Sequence, residues 1–167
     1  LMKAEWLHSG MKLKLQQIEE LLNSLSSKAS VSITKPQYLT KELFTDSGSG
    51  TLIKKGHIIK EFENLSNTQE NTLKEIIESG FNGYLSSNFL TEIEHSKFYL
   101  SHCNRAAIVM SYDSNIPYMD KFAVMNSAKG EGLGSAVWKK MRESNSQLFW
   151  RSKSSNPINK FYINVCD

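Results

Sequence analysis

The stretch that decides the fold is residues 118–150, YMDKFAVMNSAKGEGLGSAVWKKMRESNSQLFW. Within it, Tyr118 to Met125 predicts a strand, Gly134 to Ser144 a helix, and Gln147 to Trp150 a buried strand. The glycine-rich turn Lys129 to Gly134 connects the first strand to the helix. The centre of the chain is therefore predicted as a strand, helix, strand unit with a glycine-rich turn before its helix.

This turn is the most informative chemical feature of the stretch. A glycine-rich turn at a helix N-terminus leaves backbone N–H groups unpaired beside the positive end of the helix dipole, which stabilises a phosphate or pyrophosphate. A dinucleotide site would need a series of parallel strands and an acidic residue about 20 residues later. A mononucleotide loop would end in Gly-Lys-Ser or Gly-Lys-Thr. Neither of these alternatives fits the sequence.

The residues before this stretch predict a run of short elements. Apolar residues at three- and four-residue steps predict an amphipathic helix within residues 2–25, or else a coiled coil or membrane-surface helix: Met11, Leu15, Ile18, Leu22 and Leu25. A serine-rich joint, a strand, a short helix, a tight loop and another strand follow at 24–30, 31–34, 38–44, 46–50 and 51–53.

The later residues predict the larger part of the fold. One helix carries Leu73, Ile76 and Ile77 on one face, and a second helix carries Tyr84, Phe89, Leu90 and Ile93. Strands are predicted at 98–100 and 106–110, and a short helix at 157–162. Helices, then antiparallel strands, then a strand, helix, strand unit predict an α+β domain.

The composition argues against several classes of function. Of the 167 residues 40% are apolar, which is enough for a core, and the net charge of +3 indicates neither nucleic acid nor a membrane as a partner. No apolar run approaches the ~18 residues of a membrane span. Cys103, Cys166 and the four histidines have no metal-ligand spacing, so no metal site or disulfide scaffold is predicted.

The turn resembles the acetyl-CoA loop of the GNAT superfamily of N-acetyltransferases: Gln or Arg, two residues, Gly, any residue, then Gly or Ala. Lys129 stands where the superfamily prefers Gln or Arg, and lysine keeps a positive charge but lacks the planar fork of arginine. The resemblance implies acetyl-CoA as the acyl donor, held by Val124, Lys129, Gly130, Gly132 and Gly134.

Longer motifs narrow the resemblance. Residues 117–122, 148–153, 156–159 and 161–162 are similar to the acetyltransferase domain of vertebrate and fungal N-acetylglutamate synthases. This similarity implies a GNAT-type fold, a mostly antiparallel sheet with flanking helices. It also implies a set of residues around L-glutamate or N-acetylglutamate and the thioester: Lys54, Lys121, Arg151, Asn156 and Tyr162.

Acetyl transfer to a dicarboxylate asks for groups of this kind. Lys54 and Arg151 are suited to charge-assisted hydrogen bonds with carboxylates. Tyr162, with an ordinary pKa near ~10, is a sensible proton donor to the departing thiolate, and Asn156 is the second catalytic candidate. Amides of the strand at 121–125 are candidates for stabilising the oxyanion. From the residues alone, a solvated lysine, a surface arginine, a helix cap and a core aromatic are the alternatives.

A different family resemblance covers the first third of the chain. Lys41 to Ile53, KELFTDSGSGTLI, looks like the closing segment of the amino-acid-kinase fold in N-acetylglutamate kinases. The resemblance implies a kinase tail over residues 1–55 and a GNAT-type domain over 56–167. It also implies arginine as an effector, contacted by Glu42 and by Gly48 or Gly50.

Two functions follow from these resemblances. In the first, the chain is the C-terminal region of a fungal-type N-acetylglutamate kinase of arginine biosynthesis, and its acetyltransferase-like domain regulates the kinase and its arginine feedback. In the second, that domain is catalytic in an N-acetylglutamate synthase. The kinase-like tail favours the first. The resemblance further implies a homo-oligomeric parent in the mitochondrial matrix, and the sequence ends indicate an excised piece with a truncated C-terminal edge.

Overall fold

A five-stranded mixed sheet organises the larger part of the chain. The computed structural model describes residues 9–26, 29–45 and 48–166. The chain divides between Gly56 and His57 into two compact units. None of the helices in the described ranges is long and apolar enough to cross a membrane.

The first unit contains two helices and a two-stranded antiparallel sheet. Its elements are α1 (Ser9–Ser24), β1 (Ser30–Ile33), a 3₁₀ turn (Pro36–Tyr38), α2 (Leu39–Phe44) and β2 (Thr51–Lys54). The two strands pair with Val31 opposite Ile53. All the helices and strands predicted here are therefore present. Residues 2–8 of the predicted helix, 27–28 of the joint and 46–47 of the loop lie outside the described residues.

The second unit carries the five-stranded sheet and four helices. Its elements are β3 (Ile59–Phe62), α3 (Asn67–Phe81), α4 (Phe89–Glu92), β4 (Ser96–Ser101), β5 (Ala106–Ser111), β6 (Tyr118–Val124), a 3₁₀ turn (Asn126–Ala128), α5 (Leu133–Ser144), β7 (Phe149–Trp150) and α6 (Asn159–Val165). The strand order is β3-β4-β5-β6-β7, with β6 and β7 parallel and the other pairs antiparallel. Helix α5 is the crossover that the parallel pair requires. The predicted α+β class is confirmed.

The sheet buries both of its faces. One face packs on α5 and α6, and its core side chains include Ile108, Met110, Leu133 and Trp138. The other face packs on α3 and α4: Leu73, Ile76, Ile77, Phe89 and Val109. Alternate residues of the central strand β5 therefore supply both cores, which explains why Ala106 to Met110 reads as a continuous apolar run.

Helix α3 begins and ends where its sequence requires. The Ser66 backbone N–H donates to Gln69 Oε1 at 2.8 Å in a capping box. The helix ends at Phe81 and is capped by Asn82, which adopts the left-handed conformation with a φ of 53°.

Three predicted elements of this unit are wrong in detail. The helix drawn through Tyr84 is only the four-residue α4, and Tyr84 itself is 98% exposed. The strand predicted as buried at 147–150 is the two-residue edge strand β7, in which Phe149 is 44% exposed. The helix predicted at 157–162 lies later, at Asn159–Val165. In each case an apolar pattern predicts a longer or differently placed element than the structure has, because the segment borders a loop or a sheet edge.

Candidate functional site

The edge of β6 that faces β7 is open over most of its length. Strand β7 pairs with it at only two positions, Tyr118 opposite Phe149 and Met119 opposite Trp150. In the described part of the chain no other strand pairs with that edge. The remainder of β6 therefore offers backbone hydrogen-bonding groups to a ligand.

A β-bulge lies where the pairing with β7 ends. On β5, Val109 is opposite Lys121 and the next residue, Met110, is opposite Met119. Asp120 is therefore the extra residue of the bulge. A bulge bends the strand and increases its twist, so β6 departs from β7 at this point.

Two amides of β6 are oriented toward the open edge. The Met125 N–H donates to Arg105 O at 2.8 Å, on the side of β5. Because successive amides of a strand point to opposite edges, those of Lys121 and Ala123 also point to β5, and those of Phe122 and Val124 point away from it. Of the strand amides predicted as oxyanion donors, Phe122 and Val124 thus have the required orientation.

The glycine-rich turn lies at the N-terminus of α5. Gly130 and Gly132 have φ values of 83° and 85°, in the left-handed region that favours glycine, and Gly132 caps the helix. A Cβ added at either residue would meet nothing within 4 Å. No acceptor among the described residues pairs with the amides of Gly130, Gly132 or Gly134. These amides, beside the positive end of a 12-residue helix, have the geometry that suits an anion.

Two further glycines bring the surrounding elements close together. A Cβ at Gly134 would lie 3.4 Å from the Phe122 and Val124 side chains, so α5 packs closely on β6. A Cβ at Gly80 would lie 3.1 Å from Ala123 Cβ and 3.2 Å from Val124 O. Helix α3 therefore approaches the backbone of β6 directly, and Gly80 is a site residue that the sequence reasoning missed.

These elements enclose a cleft of about 560 Å³. The residues predicted to hold the acyl donor, which are Val124, Lys129, Gly130, Gly132 and Gly134, all line it. Asn156 lines it too, and its Oδ1 accepts from the Ile158 N–H at 3.3 Å. The structure thus brings six of the predicted site residues together around one cleft.

A group that the sequence analysis missed fixes the glycine-rich turn. Nη1 and Nη2 of the Arg105 guanidinium donate to the Glu131 carboxylate, at 3.1 and 2.7 Å. His57 Nε2 lies 3.0 Å from the Glu131 backbone oxygen. We call these three residues the Glu131 clasp. The ion pair raises the pKa of Arg105 above its ordinary value. No sequence spacing joins these residues, because they come from three separate segments.

Tyr162 lies apart from the glycine-rich turn. Its ring is buried and packs against Phe122, Trp138, Trp150 and Phe161. It borders a separate shallow depression beside β7 rather than the cleft. Burial raises the pKa of Tyr162 to about 12, which keeps the hydroxyl protonated at neutral pH. The structure therefore does not bring Tyr162 into the cleft, although Phe122 contacts both.

The predicted substrate-binding cations are distributed over both units. Arg151 is exposed, with its guanidinium carbon 5.7 Å from the centre of the Tyr118 ring. Lys121 pairs with Asp120 at 2.7 Å and lies 5.8 Å from the centre of the Phe89 ring, on the α3 side of the sheet. Lys54 ends β2 in the first unit. Neither Arg151 nor Lys121 lines the cleft.

The predicted effector residues organise a loop in the first unit. The Glu42 carboxylate accepts from the backbone N–H of Ser49 at 2.6 Å and of Gly50 at 2.8 Å, and also from the Ser32 hydroxyl. These hydrogen bonds, with the Ser32 contribution the largest, lower the pKa of Glu42. Gly48 has a φ of 56°, and a Cβ there would lie 2.8 Å from Glu42 Oε2. The structure thus brings Glu42, Gly48 and Gly50 together.

The described residues hold no group of three or more histidine, cysteine or acidic side chains that could bind a metal ion.

The fold and the cleft define a class of protein. The structure is similar to that of a GNAT family acetyltransferase of Streptococcus pneumoniae, with a TM-score of 0.54, 16% identity, and 65% of this chain and 84% of that chain covered. It is also similar to the structure of an N-acetylglutamate synthase from Neisseria gonorrhoeae, solved with coenzyme A and N-acetyl-glutamate. The TM-score is 0.51 and the identity 18%, with 96% of this chain and 40% of that chain covered. The fold is that of the GNAT acetyltransferases.

The family follows from the sequence match. Residues 57–167 match the N-acetyltransferase (NAT) of N-acetylglutamate synthase, and the chain belongs to this family. It is 44% identical over all 167 residues to an acetylglutamate kinase of Xylella fastidiosa, and 36% identical over 169 residues to a mitochondrial N-acetylglutamate synthase of Danio rerio. These matches take in 100% and 98% of this chain but only 40% and 32% of those relatives.

Proposed function

We propose that residues 57–167 bind acetyl-CoA in the cleft, with the pyrophosphate on the amides of Gly130, Gly132 and Gly134. The observation that carries this proposal is that these amides and the open edge of β6, which pair with no other group in the described residues, border the same cleft. The first feature suits the phosphates, and the second suits the amide groups of the pantetheine arm. The amides of Phe122 and Val124 are then the donors for the thioester carbonyl.

Direct binding of coenzyme A to this chain tests the proposal. In isothermal titration calorimetry we expect saturable one-to-one binding that weakens with rising salt, because the contacts to phosphate are electrostatic. Gly134→Leu is the matched cleft variant, since Gly134 lines the cleft and a leucine there would crowd Phe122 and Val124 and obstruct the cleft. Gly83→Leu is the control, because a Cβ at Gly83 would have its nearest neighbour, the Phe81 backbone oxygen, 4.0 Å away. Equal affinity in all three proteins would contradict binding in this cleft.

For the parent protein, we propose an acetylglutamate kinase of arginine biosynthesis in which this region regulates the kinase and its arginine feedback. The support is the 44% identity, over the whole of this chain, to a protein of that name. Residues 1–55 are then the tail of the amino-acid-kinase domain and residues 56–167 the acetyltransferase-type domain. Glu42, Gly48 and Gly50 form part of the arginine site, where the Glu42 carboxylate accepts from the guanidinium and the glycines allow close backbone approach.

The alternative is catalytic acetyl transfer to the α-amine of L-glutamate, supported by the built cleft and by the family match. In that reaction Arg151, Lys121 and Lys54 bind the substrate carboxylates, Asn156 orients the thioester, and Tyr162 protonates the thiolate. The high pKa of Tyr162 keeps it in the acid form that this role needs. Its hydroxyl must then reach the cleft past Phe122.

Two assays on the intact parent separate these functions. Thiol release from acetyl-CoA in the presence of glutamate, abolished by Tyr162→Phe, would establish catalysis and contradict a purely regulatory domain. Kinase activity that stays fully arginine-sensitive after removal of residues 57–167 would contradict the regulatory role. We propose an oligomeric parent and, where the parent is eukaryotic, residence in the mitochondrial matrix, in keeping with the mitochondrial names of the vertebrate relatives.

A further inference from the structure

The glycine-rich turn carries a carboxylate in a place where an anion is to bind. Glu131 stands between Gly130 and Gly132, both of which line the cleft. An ionised carboxylate beside a pyrophosphate site repels the ligand and weakens its binding. A loop that binds phosphate therefore needs a device that neutralises Glu131 or turns it away.

The Glu131 clasp is such a device. Arg105 holds the carboxylate by a bidentate pair at 3.1 and 2.7 Å, and each side chain is 26% exposed. This geometry satisfies both carboxylate oxygens and compensates the charge. On the backbone of the same residue, the carbonyl oxygen lies 3.0 Å from His57 Nε2. Side chain and backbone of Glu131 are thus both fixed from outside the loop.

Fixing Glu131 also fixes its neighbours. Gly130 and Gly132 flank it with φ values of 83° and 85°, and glycine has few conformational restraints of its own. Without the clasp, the loop would have to be ordered when the ligand binds, at a cost in affinity. The clasp holds the amides in place beforehand.

We propose that Arg105, with His57, is a positioning residue for the phosphate-binding loop: it holds the loop in its binding conformation and neutralises the Glu131 charge. This inference rests on the proposed binding of acetyl-CoA. Arg105 lies just before β5 and does not line the cleft, so it acts through Glu131 rather than on the ligand.

The test uses Arg105→Gln, with Lys140→Gln as the matched control. Lys140 belongs to another ion pair, with Glu143 at 2.9 Å, and its substitution changes the net charge equally. In the ligand-free chain we expect ¹⁵N order parameters of Gly130 and Gly132 near ~0.85 in the original protein and the control, and below about 0.7 in Arg105→Gln. Arg105→Lys keeps the cation without the fork and should fall between them.

Binding then separates geometry from charge. We expect Arg105→Gln to weaken coenzyme A binding about tenfold. The variant loses one partly exposed ion pair, and the loop must then be ordered when the ligand binds. Pantetheine, which has no phosphate, should bind all variants equally. Glu131→Gln loosens the loop but removes the carboxylate charge itself, so its loss of coenzyme A affinity should be smaller than that of Arg105→Gln.

The outcomes are distinguishable. Unchanged order parameters in Arg105→Gln would overturn the positioning role, whatever binds in the cleft. An equal loss of coenzyme A affinity in Lys140→Gln would overturn it as well, since a general charge effect would suffice. If the original protein binds no coenzyme A, the proposed function and the role toward phosphate fail together, while the order parameters still decide whether the clasp orders the loop.

Discussion

Replacing Gly132 by alanine tests the conformation of the turn most directly. Gly132 has a φ of 85°, and a Cβ there would meet nothing within 4 Å. The cost of the substitution therefore comes from the backbone conformation and not from a clash. A non-glycine residue in the left-handed region costs about 1–2 kcal/mol. For a chain of this length that lowers the melting temperature by roughly 2–8 °C.

Gly10→Ala is the matched control for this prediction. Gly10 lies in α1, where a Cβ also meets nothing within 4 Å, but its φ is outside the left-handed region. Alanine there should stabilise the chain by about 0.5–1 kcal/mol, because glycine is a poor helix former. Thermal and urea unfolding measure both changes. If Gly132→Ala is as stable as the original chain, the left-handed turn is not required and the loop geometry described above is wrong.

Three further perturbations have definite expected outcomes. Gly80→Ala gains helix propensity but places a Cβ 3.1–3.3 Å from Ala123 and Val124, so we expect a net loss of about 0.5–2 kcal/mol in urea unfolding and a weaker affinity for coenzyme A. The pKa of Tyr162 is raised from 10.0 to about 12, so the contribution of its neutral hydroxyl to stability is fully present below about pH 10 and is lost as the pH rises toward about 12. In pH-dependent unfolding, Tyr162→Phe should reduce this alkaline loss of stability. For Glu42, whose pKa is lowered, the stabilisation is present above its ordinary pKa of 4.5 and is lost as the pH falls below it; Glu42→Gln should remove this acid dependence from the amide exchange of Ser49 and Gly50.

Local patterns in the sequence predicted the centre of the fold well. The turn from Lys129 to Gly134 and the apolar spacing of α5 predicted a strand, turn and helix in the order found. These features depend on residues near one another in the chain, and their physical causes are local as well. For the same reason the amides that we propose to bind phosphate could be named from the sequence.

Features that depend on distant segments were not predictable in this way. Arg105 and Glu131 meet only because β5 and the turn after β6 are neighbours in the folded sheet. A core aromatic was the alternative given for Tyr162 from the sequence, but the rings that surround it come from β6, α5, β7 and α6, and no spacing indicates that these meet. The bulge at Asp120 has no sequence signature of its own, since it exists only relative to the register of β5.

That bulge makes the opening of the sheet a matter of one residue. Met119 and Phe122 both contact the core under α5, whereas Lys121 and Ala123 lie on the other side. Removing Asp120 would leave all four side chains on their present faces and would convert β6 into a regular strand. Such a chain should keep both cores and unfold cooperatively on heating, and yet fail to bind coenzyme A. A single deletion would then separate stability from ligand binding. A protein of this fold could therefore gain or lose its ligand site in one step and stay folded throughout.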